Sequence, residues 1–326
     1  MSEAHEILEV SGLSVDYVLS QHDVRAVDDV SFTVDRGEFL GIVGESGCGK
    51  STLLFAIAQL LAPPAVIAAG SVKFEGTNLV GLTDKQLSAI RWRDMSVVMQ
   101  SAMNALNPVK SIGGQFKDAL QAHGKPSKEE IKTRSAEVLR MVGIDPVHLK
   151  SYPHQLSGGM RQRSMIAMAM LFTPDLVIMD EPTSALDVVA QRSLMVQIKE
   201  LQAELGFAVI FVTHDMSLVS HFSDRLMVMY AGQVAELGAT RKVFDAPLHP
   251  YSIGLMEAFP SIRGPRVPLT GIPGSPPNLA KLPPGCRFAE RCPKVMDRCW
   301  REPPALYQVD GTQVRCFLHE NGVRGD

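Results

Sequence analysis

From Glu6 to Val34 apolar positions alternate with polar ones: Leu8 and Val10, then Leu13, Val15 and Tyr17, then Val27, Val30, Phe32 and Val34. A period of two predicts antiparallel strands, here broken by polar turns at Gln21 to Asp23 and Asp35 to Gly37. The pattern then becomes a continuous apolar run, Phe39-Leu40-Gly41-Ile42-Val43, as expected of a strand buried on both faces. A helix is predicted over Leu53 to Leu61, ended by a loop at Pro63-Pro64, with further strands over Ser71 to Phe74 and Ser96 to Met99. Between Ser101 and Gln155 the spacing of Ile131, Val138, Leu139 and Val142 is helical, and Gly143 stands where a helix would stop, so an inserted helical subdomain is expected at about 101–160. Two short apolar runs, Asp175 to Met179 and Ala208 to Thr213, flank a helix with Leu194, Ile198, Leu201 and Leu205 on one stripe and Gly206 at its end. That is a βαβ unit with a parallel sheet. Leu226 to Tyr230 and Gln233 to Glu236 form a predicted hairpin around Ala231-Gly232, and the run of prolines from Pro260 to Pro284 marks a boundary between residues 1–258 and a tail, 259–326.

Composition sharpens this picture. A chain of 326 residues with 45% hydrophobic content can build one large core and a smaller one. A net charge of -3 supplies no basic field, so nucleic acid is not an expected partner. The opening Met-Ser-Glu-Ala-His-Glu lacks the basic and apolar regions of a secretory signal, which places the expected site of action in the cytoplasm. Leu53 to Ala69, the stretch nearest to a membrane span in character, is divided by Gln59 and the Pro63-Pro64 pair and reads as a core helix and loop.

Directly after the apolar run lies Gly44-Glu45-Ser46-Gly47-Cys48-Gly49-Lys50-Ser51-Thr52, which fills the G-x-x-x-x-G-K-[ST] pattern between a strand and a helix. Glycines there let successive N–H groups point inward at a polyanion, and the following helix presents its positive end. Lys50 would reach the terminal phosphates and the Ser51 hydroxyl would ligate Mg²⁺. The second element is Leu176-Val177-Ile178-Met179-Asp180-Glu181, a buried strand with two acids at its carboxyl end, where α/β sheets hold ligands. Asp180 suits Mg²⁺, and Glu181 suits the general base that activates water. The third is Ser157-Gly158-Gly159-Met160 at the head of a helix.

Together these motifs resemble the nucleotide-binding subunit of ATP-binding cassette (ABC) transporters, whose signature Ser-Gly-Gly completes the ATP site of the opposite subunit. The resemblance implies an α/β P-loop cassette with an antiparallel β subdomain, an inserted helical subdomain and a Pro/Cys-rich extension. It also implies that Gln100 is the Q-loop glutamine touching Mg²⁺ or water, that Ser184-Ala185-Leu186-Asp187 is the D-loop at a dimer interface, and that His214 contacts the γ-phosphate. Tyr17 is the candidate for stacking on adenine. Met160 departs from the family's commoner glutamine, and Cys48 sits inside the phosphate loop.

The wider string Tyr152 to Arg163, and in the tail His249-Pro250-Tyr251, Ile272 to Pro277 and Gly285-Cys286-Arg287-Phe288, resemble the dipeptide/oligopeptide importer branch. That branch implies a second ATPase subunit, either a homologue or another copy, two integral membrane permease subunits and an extracytoplasmic solute-binding protein, with this chain peripheral on the cytoplasmic face. Relatives import nickel, glutathione or sugars, so those solutes stand beside peptides; a soluble ABC ATPase outside transport is the remaining alternative. Cys286, Cys292, Cys299 and Cys316 have five, six and sixteen residues between successive members. Four thiolates without His suit a [4Fe–4S] cluster or structural zinc, and the wide gaps disfavour a zinc ribbon. Some importers of the branch are similar in carrying an iron–sulfur cluster here.

Overall fold

The computed structural model describes residues 6–20, 22–100, 105–184, 186–258 and 271–322. In chain order its elements are β1 (Glu6–Tyr17), β2 (Val24–Asp35), β3 (Phe39–Val43), α1 (Lys50–Ile57), β4 (Ala65–Phe74), β5 (Thr77–Asn78), α2 (Asp84–Ile90) and β6 (Met95–Val98). There follow α3 (Ile112–Ala122), α4 (Lys128–Met141), α5 (Gly158–Ala169), β7 (Leu176–Asp180), α6 (Val188–Leu205), β8 (Ala208–Val212) and α7 (Met216–Phe222). The last are β9 (Arg225–Tyr230), β10 (Gln233–Ala239), α8 (Thr240–Asp245), α9 (Pro250–Glu257), β11 (Tyr307–Val309) and β12 (Thr312–Val314). They divide between two compact units: the described residues of Met1–Leu8, Val34–Phe39 and Phe74–Thr213, and those of Glu9–Thr33, Leu40–Lys73 and His214–Asp326.

In the first unit β6, β7 and β8 are parallel neighbours, with Val97 opposite Ile178 and Ile178 opposite Ile210. Every residue of β7 and β8 is buried, which is why these strands read as unbroken apolar runs rather than alternating ones. The crossover between them is α6, which buries Leu194, Met195, Ile198 and Leu201 and ends at Gly206 with φ 76°, the left-handed stop its sequence predicts. The helical subdomain is present as α3 and α4, each opened by a serine whose hydroxyl accepts a first-turn N–H, Ser111 from Gly114 and Ser127 from Glu130. Phe116, Val138 and Leu139 are its buried core.

In the second unit β3 runs parallel to β9, Ile42 opposite Met227, while β9 and β10 form an antiparallel hairpin. Ala231 (φ 47°) and Gly232 (φ 86°) make the turn, as their sequence predicts. Strands β2, β1 and β4 are hydrogen-bonded in that order, burying Val10, Leu13 and Val15 of β1 and Val27, Val30 and Phe32 of β2. The strand expected from Ser71 starts instead at Ala65, because the Pro64 carbonyl already accepts the Val18 N–H at 3.0 Å. The tail contributes β11 and β12, which the sequence reading does not foresee: β12 adds antiparallel to β10, Glu236 opposite Val314, and pairs with β11 across Asp310-Gly311. Among the described residues no helix is long and apolar enough to cross a membrane.

Candidate functional site

The phosphate loop leaves the fully buried β3 and turns into α1. Gly49 has φ 102°, and a Cβ there would stand 2.2 Å from the Ala26 carbonyl oxygen; only glycine fits. The same holds at Gly44, φ 153°, where a Cβ would meet the Met229 carbonyl oxygen at 2.3 Å. Helix α1 begins at Lys50, earlier than expected, with no side-chain cap and no acidic residue in its first turn. Its leading N–H groups therefore suit an anion. Lys50 is buried, its Nζ donating to the Gly44 and Glu45 carbonyls at 2.8 and 2.9 Å and lying 3.7 Å from Cys48 Sγ. Burial pushes the Cys48 thiol up despite that neighbouring cation, so Cys48 is a packing group at neutral pH. Ser46 and Gly47 are exposed at the tip, and Ser51 and Thr52 are half-buried. The Tyr17 hydroxyl lies 3.1 Å from Thr52 Oγ1, which brings the expected aromatic to the end of the loop. His214 is exposed and immediately precedes Asp215, whose carboxylate caps α7 by accepting the Ser217 N–H at 2.8 Å.

The carboxyl end of β7 carries the acids in the other unit. Asp180 is buried. Glu181 has φ 46°, donates its N–H to the Val212 carbonyl at 2.9 Å, and its Oε2 accepts from Gln100 Nε2 at 2.7 Å. Two residues far apart in sequence, each expected on its own grounds, thus meet directly. The Ser184 hydroxyl donates to the Glu181 carbonyl at 3.2 Å, and Asp187 caps α6 by accepting the Ala190 N–H at 2.9 Å. Ala185 of the expected D-loop and residues 101–104 after Gln100 lie outside the described residues. Ser157 caps α5, accepting the Met160 N–H at 3.2 Å, while Gly158 and Gly159 form its first turn. From the same helix Gln162 donates to the Pro182 carbonyl, tying the signature helix to the segment after Glu181. A groove of about 350 Å³ bounded by Ser157, Gly159, Met160, Leu186 and Ala190 brings signature and D-loop residues to one surface.

The tail holds the four cysteines of the expected metal site. Among the described residues no group of three or more His, Cys, Asp or Glu side chains is disposed to hold a metal ion. Cys299 and Cys286 lie in an apolar cluster with Ala289 and Phe317, and Cys316 packs on Leu248, Val309 and Val314 while staying within electrostatic reach of the other three thiols. Burial pushes the Cys286 thiol to about 11 and the Cys316 thiol to about 12, with smaller contributions from the neighbouring cysteines. Ligation of a metal would require these thiols to lose their protons, which burial opposes and a bound cation would favour.

Two residues to which the sequence reading gives no role at the loop also converge on it. Tyr251, fully buried on α9, accepts the Glu45 N–H at 2.9 Å, and Arg291 of the tail pairs with the Glu45 carboxylate at 2.6 Å. Nothing local ties either to the loop, because Glu45 lies 206 residues before Tyr251 and 246 before Arg291.

Comparison with known proteins agrees with this geometry. Residues 27–184 match the ABC transporter family, and residues 235–299 match the C-terminal region of oligopeptide/dipeptide transporters. The oligopeptide transport ATP-binding protein OppD of Salmonella typhimurium is 43% identical over 316 residues, 96% of this chain and 94% of that protein. The oligopeptide transport ATP-binding protein AppD of Bacillus subtilis is 42% identical over 318 residues, 96% of this chain and 97% of its own length. Among solved structures, a dimeric bacterial ABC transporter cassette superposes with TM-score 0.65 at 30% identity, covering 72% of this chain and 99% of that one. A post-hydrolysis state of the same cassette, bound to ADP and Pi, gives TM-score 0.64. The chain therefore belongs to the ABC transporter ATPases, in the branch of oligopeptide and dipeptide transport ATP-binding proteins.

Proposed function

We propose that this protein hydrolyses ATP to energise uptake of di- and oligopeptides, with residues 1–258 as the cassette and residues 259–326 as its extension. The observation that carries it is the 2.7 Å contact between Gln100 and Glu181 beside the buried Asp180 at the end of β7. It supports a carboxylate held in place as a water-activating base next to a second carboxylate suited to a hard cation. The N–H groups of the loop from Gly44 to Thr52, with Lys50, bind the phosphates. Ser51, Gln100 and Asp180 offer a hydroxyl, a carboxamide and a carboxylate, an oxygen set that fits Mg²⁺, and the ion when bound supplies neutralising charge. Glu181 takes the proton of the attacking water, and His214 stabilises charge at the γ-phosphate.

Ser157, Gly158, Gly159, Ser184 and Asp187 act in trans on a second ATPase subunit, and Tyr17 stacks on adenine. The chain works peripherally on the cytoplasmic face of the membrane with two permease subunits and a solute-binding protein. ATP hydrolysis by the complex purified with those partners, titrated with di- and oligopeptides, tests the substrate class. Stimulation by peptides is expected; hydrolysis indifferent to peptides but stimulated by nickel chelates, glutathione or oligosaccharides would reassign the solute.

For the tail the finer reading is a [4Fe–4S] cluster, supported by four thiols in one small module with Cys316 within electrostatic reach of Cys286, Cys292 and Cys299. Anaerobically purified protein should carry iron and acid-labile sulfide in equal amounts. Zinc without iron would favour a structural zinc, and protein free of both would overturn metal binding here.

A further inference from the structure

The C-terminal extension reaches into the phosphate loop. Arg291 has a side chain only 4% exposed, and its terminal nitrogens donate to both oxygens of Glu45, at 2.6 and 2.8 Å. Its Nε donates to the Pro273 carbonyl at 2.8 Å and Nη1 to the Tyr230 hydroxyl at 3.2 Å, so the guanidinium has one orientation. The Glu45 backbone is held from the same side, its N–H donating to the buried Tyr251. A second tail arginine, Arg287, pairs with Asp28 and donates to the Ala231 carbonyl. The next residue, Gly232, donates its N–H to the Cys48 carbonyl at 2.8 Å, so the loop is braced at both Glu45 and Cys48.

Glu45 is the second residue of a loop whose N–H groups suit phosphates. A carboxylate there opposes a polyanionic ligand unless it is neutralised and turned aside. We propose that Arg291 is a positioning residue for nucleotide binding: its fork pairs with Glu45, cancels a negative charge inside the phosphate loop and fixes the loop in its anion-accepting shape. The inference rests on reading Gly44 to Thr52 as the nucleotide loop. It gives the extension a part in ATP affinity and makes the two tail arginines, which lie between Cys286 and Cys292, its point of contact with the loop.

The test uses the full chain in complex with its membrane partners and measures ATP affinity together with KM and kcat. Arg291→Met should weaken ATP binding by about tenfold and raise KM far more than it lowers kcat, because it leaves an unpaired carboxylate at the loop. Adding Glu45→Gln to that variant should restore affinity to within about threefold, a rescue that lost packing alone would not show. Arg291→Lys, which keeps the charge but not the fork, should weaken binding several-fold and carries the test if Arg291→Met does not fold. Arg298→Met, which removes the exposed tail pair with Glu320, should leave KM unchanged. Unaltered affinity in Arg291→Met or in Arg291→Lys, or an equally weak double variant, would each overturn the proposal. Lys50→Ala separates the two readings: normal ATP binding by that variant would sink the assignment of the loop itself rather than the role of Arg291.

Discussion

Glu181 has φ 46°, a left-handed conformation in which a non-glycine residue costs about 1–2 kcal/mol. Its N–H bond to Val212 and its carboxylate bond to Gln100 offset that cost, and together they aim the side chain away from the strand. A carboxylate fixed in this way is available as a base without having to reorder. Glu181→Gln keeps the shape and the contact with Gln100 but cannot accept a proton from water. ATP should still bind, while turnover falls by roughly 10²–10⁴-fold, the usual worth of a positioned general base. Nucleotide binding measured beside single-turnover hydrolysis checks both halves of the statement, and near-normal turnover would remove Glu181 from the role.

At the scale of elements, legibility in the sequence follows how local the determining physics is. The β7–α6–β8 unit was readable because burial on both faces leaves unbroken apolar runs and because Gly206 alone can stop α6 in its left-handed cap. The hairpin at Ala231-Gly232 was readable from its turn chemistry. The hairpin at Asp310-Gly311 carries the same turn chemistry, with φ of 50° and 78°, but its strands are three residues each, too short to show an alternating apolar pattern. Gln100 and Glu181 were each legible from motif position, but their mutual hydrogen bond was not. Spacing identified four sulfur donors and could not say how each packs; Cys299 sits with Ala289 and Phe317, and Cys316 against Leu248, Val309 and Val314. Arg291 left no trace because its meaning depends on Glu45, at the other end of the chain.

At the scale of the whole molecule, the extension joins the core of its unit through buried polar groups as well as through β12. Glu236, fully buried, accepts the N–H groups of Leu248 and His249, both at 2.9 Å, and His319 of the tail lies 3.0 Å from the Leu248 carbonyl. His249 caps α9 by accepting the Tyr251 N–H at 2.9 Å, and burial lowers its pKa from an ordinary 6.5 to about 3. In the unfolded chain His249 takes up a proton below 6.5, whereas in the fold it stays neutral to about 3, so its contribution to stability is lost progressively as pH falls through that window. Glu236 acts with the opposite sign: burial raises its pKa, so above an ordinary 4.5 the unfolded chain releases a proton that the fold retains, and stability falls as pH rises toward the raised value. The two slopes oppose each other only above 4.5, and below it the His249 slope continues to about 3. His249→Asn keeps an acceptor at the helix start but cannot become charged. Thermal unfolding followed from about pH 6.5 down to about pH 4 should show a shallower loss of Tm in this variant than in the unaltered chain, because only the Glu236 slope and the common carboxylates remain. An unchanged acid slope would mean that His249 is already protonated in the fold, and the neutral buried cluster between α9, β10 and the tail would have to be redrawn with a charged histidine at its centre.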